Sequence, residues 1–402
     1  MVLCSLELNG FRNLLPGTLH FHPGVNLLWG KNGAGKSNLL EAIYFLFTTC
    51  SFRTQRTSEL VARGQSSFRL VAQVETRSGS YRLGVEQEGR SRTLVLDDKK
   101  VGLEQVLERF SVLAFSSRQM EILEGGPRER RRFLDRGILA LRPGYLRELG
   151  EFSRTLAQRN RLLQTGATAT EKAAWDERFA AIAARIRVAR RSYCAQLAVA
   201  LGEHAGELAP RCGTMKLIYR PSPAAAGATV PAPGVDEKGE DLDQAEREIL
   251  DALGRRAAEE RRMGHTLVGP HRDEVRFHVG DMDLARFGSA GQRRAALLAL
   301  KVTRMEMVRQ VRGELPLLLV DDLDSDLDEE ASGALLRRVS RSQAFVATCK
   351  YGSMRRFSPQ VQPFRVSEGR VEAAAPDEGD SSTAVVTHPA GEEPWNRANR
   401  AY

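Results

Sequence analysis

The chain has 402 residues, 42% hydrophobic and 27% charged, with a formal charge of +8. It is long enough to bury one large core, or one core plus a smaller appended lobe, and its positive charge suits a polyanionic partner. No stretch approaches the roughly 20 apolar residues of a membrane-spanning helix, and the start MVLCSLELNG has neither a basic leader nor an apolar signal core. Together with five scattered cysteines that lack zinc-ligand spacing, these features predict a cytoplasmic protein with reduced thiols, no structural metal and no membrane association.

The first 120 residues have the pattern of half an α/β domain. The segments LCSLELNGFRN and TLHFHPGVNLLWG are short apolar runs punctuated by Gly and Pro, which predicts strands. The segment SNLLEAIYFLF has apolar residues at helical spacing. The segments RLVAQVET, YRLGVEQEG, RTLVLDDKKV and VLAFSS predict further strands and hairpins.

A complete phosphate-binding pattern lies between the second strand and the helix. Residues 30–37 match G-x-x-x-x-G-K-[ST], with the apolar strand VNLLW before the loop and a helix opening at Ser37. Lys36 is predicted to reach the β- and γ-phosphates of ATP, and Ser37 to bind Mg²⁺. The alternative is a glycine turn that ends in Lys-Ser by chance. The predicted nucleotide contacts are Gly30, Lys31, Asn32, Gly33, Ala34, Gly35, Lys36, Ser37 and Asn38.

A long helical segment follows, from about residue 121 to 264. Its sequence is rich in Ala, Leu, Arg and Glu at helical spacing, with one loop-like break at PSPAAAGATVPAPGVDEKGE. Strand-like sequence then returns in residues 265–370, and residues 371–402 lack apolar periodicity, which predicts disorder. We therefore expect an α/β head in two halves, 1–120 and 265–370, interrupted by a helical arm lobe.

The arm carries clusters of arginine. Clustered arginine suits a polyanion, because each neutralised phosphate releases counterions. The alternative is that these residues form solvated faces of long helices. The candidates for DNA contact, chosen by charge alone, are Arg128, Arg130, Arg131, Arg185, Arg187 and Arg190.

The second half of the head contains an acidic strand end. The run LPLLLVDD predicts a buried strand that ends in two carboxylates, where phosphate-loop proteins place their magnesium-side acid. Asp321 is predicted to hold Mg²⁺, and Asp322 to orient or polarise the attacking water. The alternative is an acidic surface loop, since the sequence continues as DDLDSDLDEE.

Two further motifs narrow the class. Ser289-Ala290-Gly291-Gln292, about thirty residues before the acidic strand, resembles the S-x-G-Q signature of ABC-type ATPases, and residues 325–328 (SDLD) resemble their D-loop. The resemblance implies an ATP-dependent homodimer in which Ser289, Gly291 and Gln292 contact the nucleotide bound to the opposite subunit. It gives a catalytic set of Lys36, Ser289, Asp321 and Asp322.

The chain resembles the RecF family over most of its length. The matching segments, in family order, are FRNLLPGTLHFHPGVNLLWGKNGAGKSNLLEAIYFL, SFRT, RRFLD, QRNRLL, GPHRDE, SAGQRR and VDDLDSDLD. The resemblance implies an ABC-type ATPase head with mixed sheets and flanking helices, in which Arg12 and Asn13 lie beside the nucleotide. The sequence departs from the family in several places. Gln119 is the candidate Q-loop residue in an altered segment, Thr348 and Cys349 replace the ABC switch histidine, Asp326 stands where glutamate is usual, and Phe52 where histidine is usual.

The resemblance implies a role in recombinational DNA repair and replication. The expected mechanism is an ATP-gated clamp on double-stranded DNA near single-strand gaps, released by slow hydrolysis, which helps to load a recombinase with RecO and RecR. Two other hypotheses remain open at this point. Turnover itself could drive DNA processing, or the arm could be a protein-docking platform at replication forks.

Overall fold

The structure is a computed structural model, and it describes residues 1–116, 120–166, 168–208, 215–222, 239–321, 342–349 and 361–374. The chain forms two compact units. Unit 1 comprises Met1–Arg118 and Val308–Tyr402, and unit 2 comprises Gln119–Met307. Within the described ranges, no helix is both long and apolar enough to cross a membrane.

Strands and helices are numbered in chain order. The strands are β1 (Val2–Asn9), β2 (Gly17–His20), β3 (Val25–Trp29), β4 (Ser67–Thr76), β5 (Gly79–Glu88), β6 (Ser91–Leu96), β7 (Lys99–Lys100), β8 (Val112–Phe115), β9 (Met215–Arg220), β10 (Glu274–Val279), β11 (Met282–Asp283), β12 (Leu317–Val320), β13 (Ala344–Thr348), β14 (Val361–Ser367) and β15 (Arg370–Ala373). The helices are α1 (Lys36–Thr48), α2 (Leu103–Arg109), α3 (Glu121–Glu124), α4 (Pro127–Leu141), α5 (Tyr145–Thr165), α6 (Ala169–Leu208), α7 (Gly239–Met263), α8 (Leu284–Phe287) and α9 (Ala290–Arg312).

Unit 1 contains a largely parallel sheet in the order β15-β14-β3-β13-β12-β8. Strands β14, β3, β13, β12 and β8 run parallel, and β15 pairs antiparallel with β14. Strands β12 and β13 are buried at every position, as expected for strands covered on both faces. The predicted strands VNLLW and LPLLLV are confirmed as β3 and β12.

The second sheet of unit 1 is antiparallel, in the order β2-β1-β4-β5-β6-β7. Helix α1 is largely buried in the same core as side chains of both sheets. Phe11, Phe45 and Phe68 form edge-on and tilted ring contacts there, with centroids 4.9–6.5 Å apart. This packing fixes α1, and therefore the loop that precedes it.

Unit 2 is built from helices α3 to α8, most of α9 and a three-stranded sheet in the order β11-β10-β9. Strand β9 pairs antiparallel with β10 over six residue pairs. This pairing joins residues 215–220 to residues 274–279, and residues 265–307 as a whole belong to unit 2. The division expected at 264/265 therefore differs from the observed boundary before Val308. The disordered tail was expected to start at residue 371, but strand β15 extends to Ala373. Residues 375–402 lie outside the described ranges.

Candidate functional site: a phosphate loop and its supports

The phosphate loop connects β3 to α1 at the carboxyl edge of the parallel sheet. Gly30 has φ 152° and Gly35 has φ 124°, backbone angles that residues other than glycine rarely adopt. A Cβ atom on Gly30 would lie 2.1 Å from the carbonyl oxygen of Val366, so this position has no room for a side chain. The loop delivers the chain to the start of α1, where unpaired backbone N–H groups and the helix dipole favour an anion.

Lys36 lies under the loop with its side chain buried. Its Nζ donates to the carbonyl oxygens of Gly30 at 2.7 Å and Lys31 at 3.0 Å, and lies 3.4 Å from Sγ of Cys349. Cys349 follows β13 and also contacts Oδ1 of Asn32 at 2.8 Å. The ammonium group is thus held inside the curve of the loop by carbonyl oxygens, which phosphate oxygens can replace as its partners.

Ser37 and Asp321 meet at the end of strand β12. The Ser37 hydroxyl donates to Oδ1 of Asp321 at 2.7 Å, and the Asp321 backbone N–H donates to the Phe115 carbonyl at 2.7 Å. Neighbouring oxygen ligands of an octahedral Mg²⁺ with bonds of 2.0–2.1 Å are roughly 2.9 Å apart. The hydroxyl and carboxylate oxygens therefore fit adjacent positions around Mg²⁺, together with phosphate and water oxygens.

Asn13 and Asn38 brace the loop from one side. The Asn13 side-chain amide reaches the Gly33 carbonyl at 3.5 Å, and the Asn38 amide donates to Oδ1 of Asn13 at 2.6 Å. On another side, the turn between β14 and β15 contributes Gly369, whose N–H donates to the Ala34 carbonyl at 2.8 Å. Both asparagines were predicted as nucleotide contacts, and the structure places both beside the loop.

Glu41, Ser51 and Arg53 also belong to this cluster, although none of them was predicted as a site residue. Glu41 lies on α1 and is fully buried. Its carboxylate accepts two hydrogen bonds from the guanidinium of Arg12, at 2.9 and 3.0 Å, and also contacts Ser51 and Arg53. The available signal was that Glu41 is the one charged residue within the otherwise apolar stretch 39–47 of α1.

The signature motif lies in unit 2, at the start of α9. The Ser289 N–H donates to Oε1 of Gln292 at 2.9 Å, and the Gln292 N–H donates to the Ser289 hydroxyl at 3.2 Å. This reciprocal pair is a capping box, which explains the spacing of serine and glutamine. Ser289, Ala290 and Gly291 are exposed, so the helix N-terminus is open to solvent.

Three of the six arginines predicted to contact DNA are buried, and the structure corrects that prediction. Arg130, Arg187 and Arg190 are 8%, 1% and 4% exposed. Arg130 donates to the Gly125 carbonyl at 2.6 Å, and Arg187 pairs with Glu248 at 2.8 Å. A guanidinium that is buried and paired in this way is not available to a phosphate at the surface.

The other three candidates differ in exposure. Arg131 is half-buried and donates to the Asp273 carbonyl at 2.8 Å. Arg128 lies on α4 and Arg185 on α6, and both are exposed. Of the six predicted arginines, Arg128 and Arg185 are therefore the two that are exposed.

The GPHRDE segment has a structural role in unit 2. Asp273 is buried and accepts hydrogen bonds from Arg190 at 2.8 Å, the Tyr219 hydroxyl at 2.6 Å and the Ser222 N–H at 2.9 Å. Burial raises the pKa of Asp273 despite the opposing charge of Arg190. Arg190 also pairs with Asp135 at 2.9 Å, so the segment ties α4, α6 and β9 together.

Several predicted site residues cannot be placed. Asp322, the D-loop residues 325–328 and Gln119 lie outside the described residues. Thr348 is buried at the end of β13, and Cys349 is the exposed residue that contacts Lys36. Where the chain is described, no group of three or more His, Cys, Asp or Glu side chains is arranged to hold a metal ion.

Comparisons with known proteins show similarity to one family over most of the chain. The model of the RecF/RecN/SMC N terminal domain family matches residues 2–372. The DNA replication and repair protein RecF of Symbiobacterium thermophilum is 35% identical over 355 residues, which cover 87% of this chain and 91% of that protein. The RecF of Myxococcus xanthus is 36% identical over 363 residues, covering 88% and 92%.

Solved structures of related proteins have a similar fold. The recombination mediator protein RecF with ATP, of the RecFOR pathway, has a TM-score of 0.83 and 28% identity and covers 93% of this chain and 98% of that chain. An SMC head bound to the C-winged helix domain of ScpA has a TM-score of 0.53 at 15% identity and covers 94% and 99%. The fold is that of an ABC-type ATPase head.

Proposed function

The chain belongs to the RecF family of DNA replication and repair proteins, and we propose that it acts in this role as an ATP-gated homodimer that holds double-stranded DNA. The observation that carries the proposal is the phosphate loop with Lys36 inside it and the Ser37 hydroxyl 2.7 Å from Asp321. These groups form a binding site for ATP, the nucleotide present in one solved relative.

Mg²⁺ fits the same site. Ser37 and Asp321 would hold the ion, and the ion when bound neutralises phosphate charge. Lys36 exchanges its carbonyl partners for phosphate oxygens, and the amides at the start of α1 bind the same phosphates. Asp322, next along the chain from Asp321, is the residue that we assign to orienting the attacking water.

The gating step uses the signature helix of a second copy. The exposed N-terminus of α9, with Ser289 at its start, offers a hydroxyl and backbone N–H groups to the γ-phosphate bound in the partner. A nucleotide that binds both subunits only in the dimer drives dimerisation by its differential affinity for that state. Slow hydrolysis of ATP then removes the γ-phosphate that joins the two subunits, and the dimer dissociates.

DNA binding follows from charge on the dimer. The exposed Arg128 and Arg185 remain candidates for contacts to phosphates, which give sequence-independent affinity. The family implies double-stranded DNA at gap junctions as the substrate, RecO and RecR as partners, and a location in the cytoplasm. One solved relative is described as part of the RecFOR pathway, which supports RecO and RecR as partners.

Light scattering tests the proposal directly. We expect the purified protein to be monomeric without nucleotide and with ADP, and dimeric with ATP and Mg²⁺. Lys36→Met removes the ammonium group from the loop and should abolish both ATP binding and the dimer. Lys99→Met, at an exposed position of the same unit, is the matched control and should dimerise normally. A dimer that forms in Lys36→Met with ATP would contradict nucleotide gating.

A further inference from the structure

Glu41 is a fully buried carboxylate beside the phosphate loop. It lies one helical turn after Ser37, and its two oxygens are bound by Nε and Nη2 of Arg12 at 2.9 and 3.0 Å. A buried carboxylate requires such partners, because desolvation strongly disfavours an unpaired charge. Arg12 in turn has a left-handed backbone with φ 53°, a strained conformation for arginine that the bidentate contact helps to hold.

The same carboxylate anchors the segment that carries Arg53. The Ser51 hydroxyl donates to Oε1 of Glu41, and its oxygen accepts the backbone N–H groups of Arg53 at 2.8 Å and Thr54 at 2.9 Å. Nη1 of Arg53 lies 3.6 Å from Oε2 of Glu41. Glu41 therefore fixes both the backbone and the side chain of this arginine.

Charge and hydrogen bonds connect the cluster to the loop. One carboxylate faces two guanidinium groups, so the cluster has a net positive charge. Arg53 donates to Oδ1 of Asn38, and Asn38 donates to Asn13, whose amide reaches the Gly33 carbonyl. The chain of contacts runs without a break from the buried Glu41 to the loop that binds phosphates.

We propose that Glu41 is a positioning residue for ATP: it holds Arg12 and Arg53 in place and so shapes the rim of the phosphate loop. This inference rests on the proposed function. Charge and positioning predict opposite effects when Glu41 is neutralised. Removing the negative charge of Glu41 would strengthen ATP binding, because it removes Coulomb repulsion between the carboxylate and the phosphates. Releasing the two arginines and the loop that depends on them weakens it.

The experiment is to measure ATP affinity of the full chain with Mg²⁺ by calorimetry, for the wild type, Glu41→Gln and Glu59→Gln. Glu59 is an exposed acid of the same unit and controls for charge loss. We expect Glu41→Gln to bind ATP about tenfold more weakly or worse, the scale found when the hydrogen bonds that orient ligand side chains are removed from metal sites. Equal or tighter binding in Glu41→Gln would overturn the inference.

A second variant, Ser51→Ala, tests the inference if Glu41→Gln does not fold. Ser51→Ala keeps the charge of Glu41 and its contact with Nη1 of Arg53, but removes the hydroxyl that links Glu41 to the backbone of Arg53 and Thr54. If thermal unfolding shows that Glu41→Gln is not folded, weaker ATP binding by a folded Ser51→Ala supports the inference, and wild-type affinity overturns it. Failure of the wild type to bind ATP is a separate result, since it rejects the proposed function itself.

Discussion

Arg159, Arg187 and Arg190 are buried in unit 2, and each is paired with a carboxylate. Removing one partner from a buried ion pair costs about 3–5 kcal/mol of stability, because the other charge stays buried. The arginine-rich run RIRVARR (residues 185–191) therefore contains both an exposed residue, Arg185, and the buried Arg187 and Arg190. Charge clustering in the sequence identified the run, but burial depends on which helix face packs against other elements.

His271 predicts a pH dependence of stability. Burial is the main cause that lowers its pKa from 6.5 to about 4, and Nε2 contacts the Thr266 carbonyl at 3.0 Å. The unfolded chain binds a proton on this histidine below pH 6.5, while the folded chain does not. The free energy of unfolding should therefore fall as pH drops from about 6.5 to about 4, by on the order of 3 kcal/mol.

Urea unfolding at several pH values checks this prediction. In His271→Gln the change in unfolding free energy between pH 6.5 and pH 4 should be smaller than in the wild type. His20→Gln, at an exposed histidine, should leave the wild-type pH dependence intact. The same pH dependence in His271→Gln would show that the ring titrates normally in the folded protein.

Helix α6 presents two arginines of opposite environment within three residues. Arg185 is exposed, whereas Arg187 is buried against Glu248. Arg187→Glu should lower the stability of the protein by about 3–5 kcal/mol, because it places a carboxylate at a buried position beside the half-buried Glu248. Arg185→Glu should change stability by less than about 0.5 kcal/mol. It should weaken DNA binding and reduce the salt slope by about 1.

Thermal unfolding and DNA titrations at several salt concentrations measure both effects. Arg178→Glu, at another exposed arginine of α6, shows how much any charge reversal on the helix matters. Unchanged DNA affinity and salt slope in Arg185→Glu would favour the view that the arm docks proteins rather than DNA.

Elements differ in how far the sequence predicts them. Strand β12 is a continuous apolar run, and β3 is apolar except for Asn26. The local pattern therefore identified both strands, together with the loop after β3 and the acid after β12. The pairing of β9 with β10 joins segments more than fifty residues apart, and no local sequence pattern predicts it. The same limit applies to Glu41, whose partners Arg12 and Arg53 come from segments on either side of α1.

At the scale of the whole molecule, the signature helix predicts how two copies associate. Ser289→Arg places a bulky cation at the N-terminus of α9. The helix dipole disfavours positive charge there, and the long side chain fills the space that the partner's γ-phosphate needs. ATP binding by the monomer should persist, because the hydrogen bonds described for the phosphate loop come from other residues. The dimer should be lost.

Light scattering with ATP and Mg²⁺, beside calorimetric ATP binding, separates the two steps. Ser66→Arg, at an exposed serine of unit 1, controls for the added charge and should dimerise. A dimer of normal mass in Ser289→Arg would rule out the role of Ser289 between subunits.

The central position of β3 has a consequence for synthesis on the ribosome. This strand is made early, but its neighbours β13 and β14 lie more than 300 residues further along the chain. At roughly 5–20 residues per second, tens of seconds pass before those neighbours leave the exit tunnel. During that time β3 has two unpaired edges, while all of unit 2 is already available to fold. The nascent chain must therefore keep an apolar strand from aggregating until its last partners arrive.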